Sequence, residues 1–385
     1  MRTGKRVTAF IMTGMLSLSA VFSSFGAEKP EGMDDGVWAR LQDGKIEYDE
    51  IENLVLYFNP TYNQIIQQID ATTGYEYMKK SLEELKDEIK DIKDEAKKAQ
   101  EEEDVMTYVS NTMLADTLEN GALKSLKSGI GKINIAKNDT AKPIAKQLTA
   151  GIQQLMIGYN MALASRELTD TAVELADAAY QSTVSQKNLG MATAVDVENA
   201  EKSLTAARGQ QQALNDRLES LRQNLSIMTG GSYDTVLEVG QIPAPDLERI
   251  GTMNPEQDIQ RAISHNETVK QQRQTPEKSQ AQFEYKEMAL TETKEKLKTK
   301  LEALYQKVLE SKTSYEAAQT ALESAVITMN GNDLKYQMGM LGRLEYLQAK
   351  IGYLQQKMTY DMAVLNLKQA MENYNWAVYG VVELD

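Results

Sequence analysis

From Val197 to Met228 the sequence advances in steps of 3 and 4 through Ala200, Leu204, Ala207, Leu214, Leu218, Leu221 and Leu225, with Gln211 the one polar member. A period of 3.5 residues keeps one face of an α-helix turned toward a partner helix, the pattern of a left-handed coiled coil. The stepping recurs from Tyr346 to Ala377 through Ala349, Tyr353, Tyr360, Ala363, Leu367, Ala370 and Tyr374, with Gln356 polar. A second seam starts on the same helix at Leu347, Ile351, Leu354 and Met358. Two seams require neighbours on two sides, as in a ring or layer of helices.

Each seam follows a similar turn. "NLGMATAVDVENA" carries Gly190, Asp196 and Ala200, and "YQMGMLGRLEYLQA" repeats the spacing with Gly339, Glu345 and Ala349, 149 positions later. The returning segments stop at Gly230 and Gly380, 40 and 41 positions beyond the turn glycines. At 1.5 Å per residue each arm spans roughly 50 Å. The repeat therefore predicts an all-α fold of long antiparallel coiled-coil hairpins in two tandem copies. A single Gly in an αα turn needs no partner to explain it, because it supplies a positive φ; the shared acid and Ala positions ask for more. Asp196 and Glu345 also suit the positive end of a helix dipole.

The remaining chain divides around these hairpins. Residues 1–26 read as a secretory signal peptide, with Arg2, Lys5 and Arg6 ahead of an apolar stretch and Ser24-Phe25-Gly26 at the cleavage site. A membrane anchor would need about 20 strongly apolar residues, and this run is shorter and more polar. Residues 27–231 form the first repeat with its lead-in, 232–254 a linker containing Pro243 and Pro245, and 255–385 the second repeat. A helix before Pro60 is expected to break there. Residues from Ile65 to about Glu103 are helical in pattern and solvated, with Glu83–Lys86 and Asp94–Lys98 at ion-pair spacing. The pattern weakens from Val105 to Gln153, where Gly121, Gly129, Gly131 and Pro143 interrupt it and "KINIAK" is too short for a strand. Ile157–Lys187 is expected as one helix, Asn254 as the cap of a helix from Pro255, and Ser279–Met329 as a long polar helix after Pro276.

Composition limits the chemistry. With 56 acidic and 42 basic residues the chain carries −14, which argues against nucleic acid and anionic lipid surfaces as partners. There is no Cys for a disulfide or a lipid anchor, and His265 is alone, so a transition-metal site lacks ligands. No phosphate loop, nucleophile elbow, catalytic triad or paired acid stands out, so the expectation is no catalytic residue, no cofactor and no enzymatic activity. The seam tyrosines Tyr353, Tyr360 and Tyr374 read as packing residues.

Two tandem copies of G-x-x-[TG]-x-x-[DE]-x-x-x-A-x-x-x-[LY] at hairpin tips, at matching arm length behind a signal peptide, resemble the TolC family of outer-membrane efflux proteins. The resemblance spans about 157–231 and 279–380. It implies a TolC-like α-barrel protomer, three copies of which form a twelve-helix tunnel. The implied partners are a membrane-fusion adaptor and an inner-membrane pump, ABC or proton-driven, in the outer membrane or cell envelope. On it Gly190, Met191, Thr193, Gly339 and Met340 are adaptor-docking residues. Asp196 and Tyr336 fall on gate positions, and Glu345 on a constriction acid. The family's gate arginine falls on Leu341, with Arg343 two residues further on as a candidate substitute, and the second constriction acid falls on Gln348. The family also inserts membrane strands of about 9–11 alternating residues, which neither 105–153 nor 263–300 supplies. The rival reading is a structural coiled-coil protein of the cell envelope with no conduit. A pore-forming toxin would need an apolar insertion hairpin, and an adaptor would need β-rich flanks; neither is found.

Overall fold

The computed structural model describes residues 29–385 apart from Glu31, Glu103, Val236, Glu383 and Asp385; the leader read at residues 1–26 lies outside the described residues. The chain is all-α. Helices α1 (Asp35–Arg40) and α2 (Ile51–Phe58) lead into α3 (Pro60–Thr73) and α4 (Tyr75–Glu101). The chain returns through α5 (Val105–Leu118), a π turn at Glu119–Leu123, α6 (Lys124–Ala164) and α7 (Arg166–Asn188), then folds back as α8 (Ala194–Met228). The second half holds α9 (Leu247–Ile250), α10 (Pro255–His265), α11 (Glu267–Gln274), α12 (Gln280–Gln337) and α13 (Arg343–Val378). Strands β1 (Lys45–Ile46) and β2 (Glu238–Val239) pair in parallel and tie the segment after α8 to the lead-in.

Four long helices pack side by side in the order α8, α7, α13, α12. Every seam residue of α8 from Val197 to Met228 is buried or half-buried, while most of the helix is exposed. α13 has neighbours on two sides: Tyr346, Tyr360 and Tyr374 of its first seam meet tyrosines of α12, and the helix also packs on α7 and α6. Leu347, Leu354, Leu367 and Tyr374 are buried there, and Gln356 is the exposed exception. Two cores form where the long helices meet the short ones, and Leu365 of α13 crosses into the first. Ile51, Val55, Ile152, Met156 and Leu225 lie in the first core. Ile263, Val269, Leu297, Leu301, Leu367 and Tyr374 lie in the second.

A further duplication holds these cores together. Gly230 and Gly380 stop α8 and α13 at φ +88 and +87. Each lies against the last residue of a short helix, Phe58 of α2 and His265 of α10. Each short helix is followed by a buried Asn that caps the next: Asn59 accepts from Tyr62 N at 2.9 Å, and Asn266 from Val269 N at 3.1 Å. Asn59 also donates to Met228 O at 2.6 Å, linking the cap to the end of α8.

The break expected at Pro60 is present: α2 ends at Phe58, and Pro60 opens α3 at its first turn, where its missing N–H costs nothing. Several other local expectations are corrected. The weak stretch from Val105 to Gln153 is helical nearly throughout: Gly121 lies in the π turn, and "KINIAK" and Pro143 lie inside α6. Pro in a helix interior costs about 3 kcal/mol; Ala141 and Ala145 on either side, and Ile152 and Met156 further on, are buried and hold α6 across it. The helix expected over 157–187 is shared between α6 and α7, with a break at Ser165. The outgoing arm α12 runs 58 residues, well beyond the 36 of α13. Of the two ion pairs expected on α4, Glu83–Lys86 closes at 2.7 Å, whereas Asp94–Lys98 is not among the pairs formed.

At the end of the rod away from the tips, the two halves differ. The first half extends as an antiparallel helical hairpin of α4 and α5, clamped by Lys93 on Glu119 at 2.6 Å. In the second half α11 turns directly into α12, and Lys286 secures the turn by donating to Arg273 O and Thr275 O at 3.0 and 2.9 Å. Among the described residues no helix is long and apolar enough to cross a membrane.

Candidate functional site: the paired hairpin tips

Both tips are built by the same backbone device. Gly190 has φ +72 and Gly339 φ +70, a left-handed conformation that favours glycine. The next residue closes back on the helix end: Met191 N donates to Gln186 O, and Met340 N to Lys335 O, both at 2.8 Å. Three residues beyond Met191 the returning helix α8 begins, capped by Thr193, whose hydroxyl accepts from Asp196 N at 3.2 Å. Asp196 in turn accepts from Thr193 N at 2.8 Å and from its hydroxyl at 2.7 Å. Those bonds hold the Asp196 carboxyl below its ordinary value. In the second tip Glu345 does half of this, accepting from Gly342 N at 3.3 Å. Both acids thus have a local capping role.

The tips are apolar. Leu189, Met191, Val195, Met338 and Met340 are exposed by 62% or more, more than a lone helical turn in water requires. Among the described residues no hydrogen bond joins Tyr336 to Asp196; the Tyr336 ring stacks on Tyr346 with centroids 4.2 Å apart. A hydrogen bond to Asp333, with partial burial, pushes the Tyr346 phenol up. Arg343 reaches across to the first hairpin and pairs with Glu174 of α7 at 3.1 Å.

That contact belongs to a set the sequence reading missed. On α7, Glu167 and Glu174 face α13, where Lys357 and Arg343 meet them at 2.7 and 3.1 Å. Asp170 and Asp177 face α8, accepting from Gln211 at 2.7 Å and pairing with Arg208 at 3.5 Å. Acids seven apart on each flank of one helix mark a helix with two partners; that spacing was legible, but its bases lie on other segments. Asp361 sits beside the Lys357–Glu167 pair, and burial pushes its carboxyl up despite Lys357. His265 is exposed and stacks against Tyr379. Among the described residues no group of three or more His, Asp or Glu is arranged to hold a metal ion.

No protein-family model and no curated protein matches the chain. Among solved structures it is similar to the outer membrane channel CmeC of Campylobacter jejuni, at 12% identity over 68% of each chain with a TM-score of 0.43. It is similar to the outer membrane protein VceC of Vibrio cholerae at 12% identity, over 66% of this chain and 75% of that one, with a TM-score of 0.43. A membrane protein from Pseudomonas aeruginosa is matched at 13% identity over 92% of this chain and 100% of that one, with a TM-score of 0.44.

Proposed function

We propose that this chain is an exported, TolC-like channel component that assembles, as a trimer, into an α-helical tunnel of the outer membrane or cell envelope. The observation that carries the reading is the open layer α8–α7–α13–α12: among the described residues its edge helices α8 and α12 pack on one long neighbour each toward the tips, with α6, α10 and α11 reaching them only toward the other end. A layer with two free long edges closes by joining edges with other copies, and a ring does so without leaving an edge. The duplicated apolar tips, with Gly190, Met191, Thr193, Gly339 and Met340, would then crown one end and dock a membrane-fusion adaptor coupled to an inner-membrane pump. Asp196, Tyr336, Arg343 and Glu345 line the region where a gate would act, and Arg343–Glu174 is the contact that opening would break.

The test is the mass of the chain from residue 27 in solution, by light scattering and native mass spectrometry. A trimer is expected; a monomer at micromolar concentration, with or without the cognate adaptor, overturns the tunnel. The helical course of 105–153, where the resemblance would place membrane strands, favours a second reading: a structural envelope protein without conduit. Conductance across a planar bilayer and pump-dependent export decide between them, since the structural protein gives neither.

A further inference from the structure

Between α2, α3, α6 and the end of α13 lies a cleft of about 950 Å³. Its floor is made by two small buried residues of α6, Ala141 and Ala145, one helical turn apart, which leave the groove deep where larger side chains would fill it. One wall is apolar, with Leu56, Ile66 and the Trp376 ring. Trp376 is held in place by its indole N–H, which donates to Gln153 at 2.8 Å. The other wall is basic.

Lys137, Lys142 and Lys146 line the cleft against one carboxylate, Glu52, in a chain whose net charge is −14. Of the three, Lys142 and Lys146 are in no ion pair among the described residues. Lys137 is paired with Asp70 and lies 3.6 Å from the centre of the Tyr75 ring. Lys146 spends one donor on Tyr379 O at 3.3 Å, a backbone carbonyl that carries no full charge. Lys142 has no hydrogen bond or ion pair among the described residues. Burial, with repulsion from Lys270 and Lys142, pulls the Lys146 ammonium below its ordinary value against the attraction of Glu267 and Glu52. The Asn134 and Asn138 amides add further donors to the same wall.

We infer that this cleft binds an amphipathic anion, with a phosphate-type headgroup between Lys142 and Lys146 and an apolar body along Leu56, Ile66 and Trp376. Several N–H donors converging from different side chains suit an anion with several acceptor oxygens. The volume far exceeds an inorganic phosphate and falls in the range of sites for one organic ligand. In the second half α11, at the position of α3, is only eight residues long. The inference is independent of the tunnel reading and holds for a single protomer.

Trp376 supplies the readout. In a Trp38→Phe background it is the sole tryptophan, and its emission is followed while decyl phosphate is titrated below its micellar concentration. Decyl maltoside and inorganic phosphate serve as the tail-only and headgroup-only probes. A saturable change is expected, with decyl phosphate at least about tenfold tighter than either probe, the scale of one charge-assisted contact. Lys142→Glu, at an exposed position without a structural bond, is expected to weaken decyl phosphate by at least about tenfold at unchanged circular dichroism. Equal binding of decyl maltoside, equal binding of inorganic phosphate, or an unaffected Lys142→Glu variant each overturns the inference.

Discussion

Replacing Gly230 or Gly380 with Ala separates two costs that the tip glycines carry only in part. All four positions have φ between +70 and +88, so any Cβ is strained there, by roughly 1–2 kcal/mol. A smaller unfolded-state gain, about 0.4–1 kcal/mol, offsets part of this. At Gly190 and Gly339 a new Cβ meets nothing within 4 Å, so a net loss of about 1 kcal/mol or less follows. At Gly230 it would lie 2.5 Å from Phe58 O and 2.7 Å from Phe58 Cβ. At Gly380 it would lie 2.5 Å from His265 C and 2.9 Å from Asn266 N. These neighbours are mostly backbone, so the joint before Asn59 or Asn266 must shift, at an overpacking cost of about 1–3 kcal/mol more. Urea unfolding followed by circular dichroism should place Gly230→Ala and Gly380→Ala about 1–4 kcal/mol below the parent. Asn tolerates the left-handed region, so Gly339→Asn should be near neutral and Gly380→Asn should not. If the Ala variants at tip and joint lose equal stability, the steric role of the joint glycines is refuted.

Three further outcomes follow from the packing. Leu367→Ala, at a fully buried position of the second core, should cost about 2–5 kcal/mol in the same urea assay. Asn59→Ala removes both the acceptor for Tyr62 N and the donor to Met228 O, and should cost about 1–2 kcal/mol while leaving the tip turns intact by hydrogen exchange. Asp361 binds its proton more tightly in the folded chain than in the unfolded one, because its folded value is raised. Its charged form therefore weakens the fold at neutral pH, and that penalty is relieved as pH falls through the folded value. Asp361→Asn should raise Tm at pH 7 and give no gain below its ordinary value of 3.8; a gain that persists in acid would contradict this reasoning.

The sequence by itself determined the hairpins. A 3,4 seam is a property of one helix read along its own length, so Val197–Met228 and Tyr346–Ala377 declared both their conformation and the face they bury. The tip turns were equally local: a glycine in the left-handed region, a capping acid, and a helix start within seven residues. What sequence could not supply was which surface receives each seam. The order α8, α7, α13, α12 joins segments far apart in the chain, and the acids of α7 acquired meaning only when Arg343, Lys357 and Arg208 arrived from other helices. The joints at Asn59–Gly230 and Asn266–Gly380 were hidden because their partners stand 171 and 114 positions apart, with little beyond the Asn, the Gly and the Thr two residues after each Asn in common. Burial also overrode local propensity. Pro143 and four glycines within 121–151 argue against a helix one residue at a time, by about 1 kcal/mol for Gly and 3 for Pro. The buried face of α6 from Ala141 to Ile157 runs against α2, α3, α8 and α13, and only that tertiary contact decides the matter.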